Sequence, residues 1–172
     1  KDCEVIAWDK EDIDITKEKE VKSQVIKLRP DVILNCAAYN TVDKCEDKKE
    51  FSLAKKLNGD APGYLASAAK SIGATLAHYS TDYVFDGEPE ISEPAGCAYV
   101  CRDCTLHDSF NPLPQIGFNE EAKLKPINNY GKSKLAGEKE VKKHGKKYYI
   151  IRLSKLFGKP GISEGAKRSF FD

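Results

Sequence analysis

Apolar positions along the chain fall into short blocks, and the blocks alternate between the repeat of a strand and that of a helix. Val5 to Trp8 is a short apolar run that closes on Asp9, and it reads as a strand. An acidic loop follows, Lys10 to Ile15. Thr16 is then placed as a helix N-cap, with Glu18 and Glu20 in the first turn, where the helix dipole favours anions. Val21, Val25 and Leu28 fall on one face of that helix, and Pro30 stops it. Val32-Ile33-Leu34 is an unbroken apolar run, the pattern of a strand buried on both faces. Phe51, Ala54 and Leu57 predict a second helix, and Leu65 to Ala69 a third, ended near Gly73. Ala74 to Tyr79 predicts a strand that runs into Ser80-Thr81-Asp82-Tyr83. Residues 86 to 128 lose periodicity and carry most of the prolines. Leu135, Glu138 and Val141 continue a helix begun near Tyr130, and Tyr148 to Leu153 is the last strand.

This alternation predicts an α/β fold, a doubly wound parallel sheet with helices on both faces. Ligands of such sheets bind beyond the carboxyl ends of the strands. Asp9, Asn35, Ala37, Ala38, Thr81 and Lys155 all lie at or just after the end of a predicted strand, so one edge gathers the residues of interest.

Composition narrows the picture. A formal net charge of +1, with the charges scattered, argues against nucleic acid and against an anionic membrane as partners. No apolar run approaches the roughly 20 residues of a membrane helix. No signal peptide opens the chain, so the cytoplasm is the expected location. The chain contains 0 methionines and starts inside a predicted strand, from which a truncated protein is expected. Of its 6 cysteines, Cys3, Cys36 and Cys45 are scattered and read as small hydrophobes.

The candidate chemistry centres on Tyr130-Gly131-Lys132-Ser133-Lys134. On a helix, positions i and i+4 share a face, so the Lys134 ammonium is expected near the Tyr130 phenol. A nearby cation favours the phenolate and lowers its pKa toward working pH, where a general acid is most effective. Tyrosine and lysine four apart also occur by chance in many helices. Ser80-Thr81-Asp82 sits at a strand end upstream. A hydroxyl there can hydrogen-bond a substrate carbonyl, or simply build a turn or a cap. Asp9 can accept ribose hydroxyls, or be a solvated loop acid. Asn35-Cys36-Ala37-Ala38-Tyr39 offers small residues that allow close approach to the backbone, or tight packing.

Taken together these stretches resemble the dTDP-4-dehydrorhamnose reductases, within the extended short-chain dehydrogenase/reductases. The resemblance is carried by Asn35-Cys36-Ala37-Ala38-Tyr39-Asn40-Thr41-Val42-Asp43-Lys44-Cys45-Glu46, by Asp14-Ile15-Thr16, by Ser80 to Gly87, and by Asn129 to Glu138. It implies an NAD(P)-binding Rossmann fold, with NADPH or NADH as cofactor. It also implies reduction of the C4 keto group of dTDP-4-dehydro-6-deoxy-L-mannose to dTDP-L-rhamnose, in nucleotide-sugar and cell-surface polysaccharide synthesis. Thr81, Tyr130 and Lys134 are then the implied catalytic set, with Tyr130 the proton donor and Lys134 also on the nicotinamide ribose. Asp9, Asp14, Ile15, Ala38, Tyr39, Asn40 and Asn58 are the implied lining of the dinucleotide, and Thr81, Asp82 and Lys155 the implied sugar-nucleotide contacts. The partner implied is a dTDP-sugar, and a homodimer is left open for the full-length protein. An epimerase or dehydratase of the same superfamily shares the tyrosine-lysine pair. A regulatory subunit like the beta subunit of methionine adenosyltransferase keeps the fold without turnover.

Three departures qualify the resemblance. No glycine-rich turn precedes Asp9, so the first strand and its phosphate-binding turn are expected to be missing, and dinucleotide binding by this chain to be weak or absent. Residues 1–172 are accordingly read as a partial Rossmann domain whose C-terminal substrate region is largely lacking, and the fragment alone as inactive. Arg152-Leu153-Ser154 is followed by Lys155 where the family carries tryptophan, which leaves the sugar open. An insertion at about 88–120 holds Cys97, Cys101, Cys104 and His107. Thiols and an imidazole can bind zinc tetrahedrally, but the spacing fits no defined finger, and no metal ligand is assigned.

Overall fold

The computed structural model describes residues 3–88 and 118–154. Its core is a three-stranded sheet of β1 (Val32–Asn35), β2 (Thr75–Thr81) and β3 (Tyr148–Leu153), in the order β1-β2-β3. All pairings are parallel, with Asn35 beside His78 and Ser80 beside Arg152. Helix α1 (Glu18–Leu28) precedes β1. Between β1 and β2 the chain forms α2 (Lys48–Ala54), a π-helical turn at Lys55–Asp60, and α3 (Ala61–Ile72). Helix α4 (Asn129–His144) connects β2 to β3. The parallel α/β sheet expected from the alternation of blocks is therefore present.

Hydrophobic patterning explains the packing. Val21 and Val25 of α1, Leu65, Ala66, Ala68 and Ala69 of α3, and Val141 of α4 converge on Leu76 of β2. Ile33 and Ile150 pack against the same cluster from the flanking strands. The small residues of α3 let it lie close to both α1 and α4. Pro62 stands in the first turn of α3, where its missing N–H costs nothing.

Several expectations are corrected. Val5 to Trp8 is not a strand; no neighbour supplies its ladder hydrogen bonds among the described residues, and Val5 is 83% exposed. Val32-Ile33-Leu34 is a strand, but not one buried on both faces. It lies at the edge of the described sheet, with Val32 and Leu34 exposed. The helices pack on the face that carries Ile33, Leu76 and Ile150. That follows from sequential strand order, because right-handed crossovers then fall on one side. The opposite face holds Val32, Leu34 and Tyr149 and has no helix on it among the described residues. Thr16 does not cap α1, which starts at Glu18 after Lys17. The Asp14 carboxylate instead accepts from the Thr16 backbone N–H and hydroxyl, at 3.0 and 2.7 Å. Leu28, expected on the buried stripe, is exposed.

Candidate active site

Helix α4 is set up by its own sequence. The Asn128 side chain caps it by accepting from Gly131 N–H at 2.7 Å. Lys142, Lys143 and His144 fill the last turn, where the dipole favours cations. Two glycines let the helix approach its neighbours. A Cβ on Gly131 would lie 2.2 Å from the Tyr83 carbonyl oxygen, and one on Gly137 2.0 Å from that of Asn58. The first glycine brings the helix against the end of β2, the second against the π-helical turn.

This places Tyr130 at the carboxyl end of β2. Tyr130 is 8% exposed and packs against Cys45 and Ala54, with Tyr39 and Val42 alongside. The Tyr83 ring meets it edge-on, centroids 5.7 Å apart at 84°. Burial raises its pKa, with Cys45 adding to the rise, while the neighbouring Thr81 hydroxyl pulls the other way. Thr81 is 6% exposed. Its Oγ1 accepts from Tyr83 N–H at 3.3 Å and donates to the Asp82 carboxylate at 3.2 Å. Thr81 therefore does cap the turn Asp82–Val84, and also stands beside the Tyr130 phenol.

Lys134 is buried one turn further along, and its Nζ donates to the Tyr79 carbonyl oxygen at 2.5 Å. Burial lowers its pKa to about 8, against the opposing pull of the Glu138 carboxylate. The expectation that Lys134 draws the Tyr130 phenol toward ionisation is not met. The ammonium is engaged by a strand carbonyl, and the phenol is held protonated by its apolar surroundings. A protonated phenol is the form an acid needs.

Asn58, nominated from sequence, is 1% exposed and its amide is fully engaged. Oδ1 accepts from Tyr39 N–H at 2.8 Å, and Nδ2 donates to the Tyr39 carbonyl and to Ser133 Oγ, each at 3.0 Å. The π-helical turn brings this amide inward, so Asn58 joins the loop after β1 to α4. Such turns recur at functional sites. Tyr39 is further held by a short hydrogen bond from its hydroxyl to the Glu50 carboxylate. Ala38 is half-buried beside it, and Asn40 is exposed. Asp9, Asp14 and Ile15 share no hydrogen bond with this group among the described residues. The polar partners of both aspartates fall within residues 9–20, and Ile15 packs into the main core. Asp82 is exposed beside Thr81. Lys155 and the group Cys97, Cys101, Cys104 and His107 lie outside the described residues, and no cluster of metal-ligating side chains occurs among those described.

Sequence reasoning missed the part played by two buried groups, His78 on β2 and Glu138 on α4. His78 is 1% exposed, with Nδ1 3.0 Å from Asn35 Nδ2 and Nε2 without a partner among the described residues. Burial takes its pKa down to about 4, helped by the nearby Lys134 ammonium. Glu138 is fully buried and bound by Arg152 and Ser80. The signal was present: Tyr130, Lys134 and Glu138 recur at i, i+4 and i+8, and His78 and Ser80 alternate on one face of β2.

A parallel sheet with a threonine at a strand end and a tyrosine-lysine helix lying across it is the arrangement that the sequence resemblance implies. The chain belongs to the family described as RmlD substrate binding domain, whose model matches residues 1–168. It is 37% identical over 148 residues to the dTDP-4-dehydrorhamnose reductase of Salmonella typhimurium, covering 86% of this chain and 40% of that protein. Among solved structures it resembles a dTDP-4-dehydrorhamnose reductase from Bacillus anthracis in complex with NADP, at TM-score 0.70 and 37% identity, covering 90% of this chain and 45% of that one. A Clostridium acetobutylicum dTDP-4-dehydrorhamnose reductase superposes at TM-score 0.71 with 37% identity, covering 92% and 47%. The chain thus spans about 40% of the length of the curated relatives it matches. No helix among the described residues is long and apolar enough to cross a membrane.

Proposed function

We propose that this chain carries the proton-donating part of an NAD(P)H-dependent dTDP-4-dehydrorhamnose reductase. The observation that supports it best is that Thr81 stands beside the buried Tyr130 at the carboxyl end of β2, with Lys134 buried one turn further along α4. The relatives named as such reductases support the choice of reaction over epimerisation or dehydration. Intact Thr81, Tyr130 and Lys134 favour turnover over a purely regulatory subunit.

The residues present suit a nicotinamide cofactor. Lys134 has three N–H donors and among the described residues uses one on Tyr79, which leaves two for ribose hydroxyls. Ala38, Tyr39 and Asn40 form the loop at the end of β1, with Asp9, Asp14, Ile15 and Asn58 completing the set assigned to the dinucleotide. When bound, the cofactor supplies a hydride to C4 of the sugar. Tyr130 gives its proton to O4, so that one hydride and one proton convert the ketone to the alcohol. The Thr81 hydroxyl, turning its one O–H from Asp82 to that oxygen, holds it in reach, and its distance from bulk water strengthens the hold. Asp82 and Lys155 are assigned to the sugar nucleotide.

The rest of the reading is coarser. Residues 1–172 form part of a Rossmann domain with an insertion at about 88–120. The full-length protein acts in the cytoplasm on a dTDP-sugar, without nucleic acid or membrane, and a homodimer fits it. The test is to supply the full-length protein with dTDP-4-dehydro-6-deoxy-L-mannose and NADPH or NADH. Stoichiometric cofactor oxidation with formation of dTDP-L-rhamnose is expected. No oxidation with either cofactor rejects the reading.

A further inference from the structure

The proton transfer above makes no use of the buried cluster Ser80, Glu138 and Arg152. Glu138 stands one turn beyond Lys134 and two beyond Tyr130, on the same face of α4. Its Oε1 accepts from Ser80 Oγ at 2.6 Å and from Arg152 Nε at 2.9 Å, and its Oε2 from Arg152 Nη2 at 2.8 Å. Ser80 and Arg152 are register partners on β2 and β3, and Ser80 immediately precedes Thr81. One carboxylate therefore fastens the helix to both strands beside the site. Arg152 is itself fixed: Nη1 donates to the Glu120 carbonyl at 3.4 Å, and its guanidinium lies 5.2 Å from the Phe85 ring centre. Phe85 stacks on Phe118 at 4.1 Å.

Stability alone is a weak reason for such a pair, because well-packed apolar residues often replace buried ion pairs at no loss. Its placement gives a better one. The forked hydrogen bonds allow the carboxylate a single orientation. The titratable groups that face Lys134 are Glu138 from α4 and His78 from β2. His78 is neutral at working pH, so Glu138 is the negative charge among them. Arg152, Ser80 and Lys142 in turn act on Glu138, holding its carboxyl below its usual range against the upward push of burial.

We infer that Glu138, held by Ser80 and Arg152, is a positioning residue that fixes Lys134 and Tyr130 along β2 and provides the counter-charge that keeps Lys134 an ammonium. The inference rests on the reading of Lys134 as a working residue of the reductase, but its test does not need turnover. The 172-residue chain is labelled at lysine side chains and glutamate carboxyl carbons and titrated by NMR. In the wild type, Lys134 is expected to lose its proton near pH 8. The Glu138 carboxyl carbon is expected to show an inflection at that same pH. In Glu138→Gln the Lys134 midpoint is expected to fall, with the helical circular dichroism retained. A flat Glu138 signal through the Lys134 transition, or an unchanged midpoint in a folded variant, overturns the inference. Should the variant fail to fold, the wild-type inflection decides. A full-length protein that does not reduce the sugar nucleotide, while these titrations come out as expected, refutes the reductase reading and leaves the positioning role standing.

Discussion

His78 makes the structure sensitive to acid in a way that can be isolated. Its ring is buried in β2, with no partner for Nε2 among the described residues, and its pKa is down to about 4 from 6.5. A group whose folded pKa lies below its unfolded value binds fewer protons in the native state, so stability is lost as pH falls through that window. Here the window runs from about 6.5 down to about 4. Across the whole window the loss comes to about 3 kcal/mol, and at pH 5 about 2 kcal/mol of it is already gone. The perturbation is His78→Gln, which removes the titration and keeps a polar partner for Asn35. Urea unfolding of both proteins at about pH 7.5 and about pH 5 gives four free energies, whose double difference cancels the carboxylates common to both. Wild type is expected to lose about 2 kcal/mol more than the variant between those pH values. Equal losses would show that His78 is solvated or already charged, and the described burial would be wrong.

Other consequences follow from the same helix. Lys134 has its folded pKa at about 8, below the usual 10.5, so its burial as an ammonium costs stability at neutral pH. That cost is relieved as pH rises from about 8 to 10.5. Lys134→Met is therefore expected to be the more stable protein at pH 7, with the gap closing at high pH in denaturant titrations. Gly137→Ala would put a methyl 2.0 Å from the Asn58 carbonyl oxygen, which neither backbone can easily yield. A loss of about 1–3 kcal/mol is expected in urea unfolding, and a neutral result would contradict the close approach of α4 to the π-helical turn.

Much of the fold was legible because it depends on local pattern. Val21 and Val25 mark the buried stripe of α1, Pro30 its end, and Leu135, Glu138 and Val141 a helix begun near Tyr130. That the strands are parallel and alternate with helices followed from the blocks alone. What failed depended on neighbours. Val5 to Trp8 has the composition of a strand, but a strand exists only beside a partner. Val32 and Leu34 have the apolar run of a central strand and lie at the edge of the described sheet. Thr16 is a good capping residue, yet Asp14 organises that turn because its carboxylate reaches two donors of Thr16.

The site divides the same way. Spacing put Tyr130 and Lys134 on one face, and the strand end supplied Thr81. Spacing could not say what the ammonium touches, and the Tyr79 carbonyl takes the place expected for the phenol. The Ser80, Glu138 and Arg152 cluster joins residues up to 72 positions apart, through the register of two parallel strands.

The account turns on Tyr130 as the proton donor, and the most direct measurement is steady-state reduction by the full-length protein carrying Tyr130→Phe. The phenyl ring preserves the packing against Cys45 and Ala54 and removes only the acid. The account predicts a fall in kcat of about 10²–10⁴-fold, with little change in sugar-nucleotide binding. A variant that keeps full kcat would contradict it.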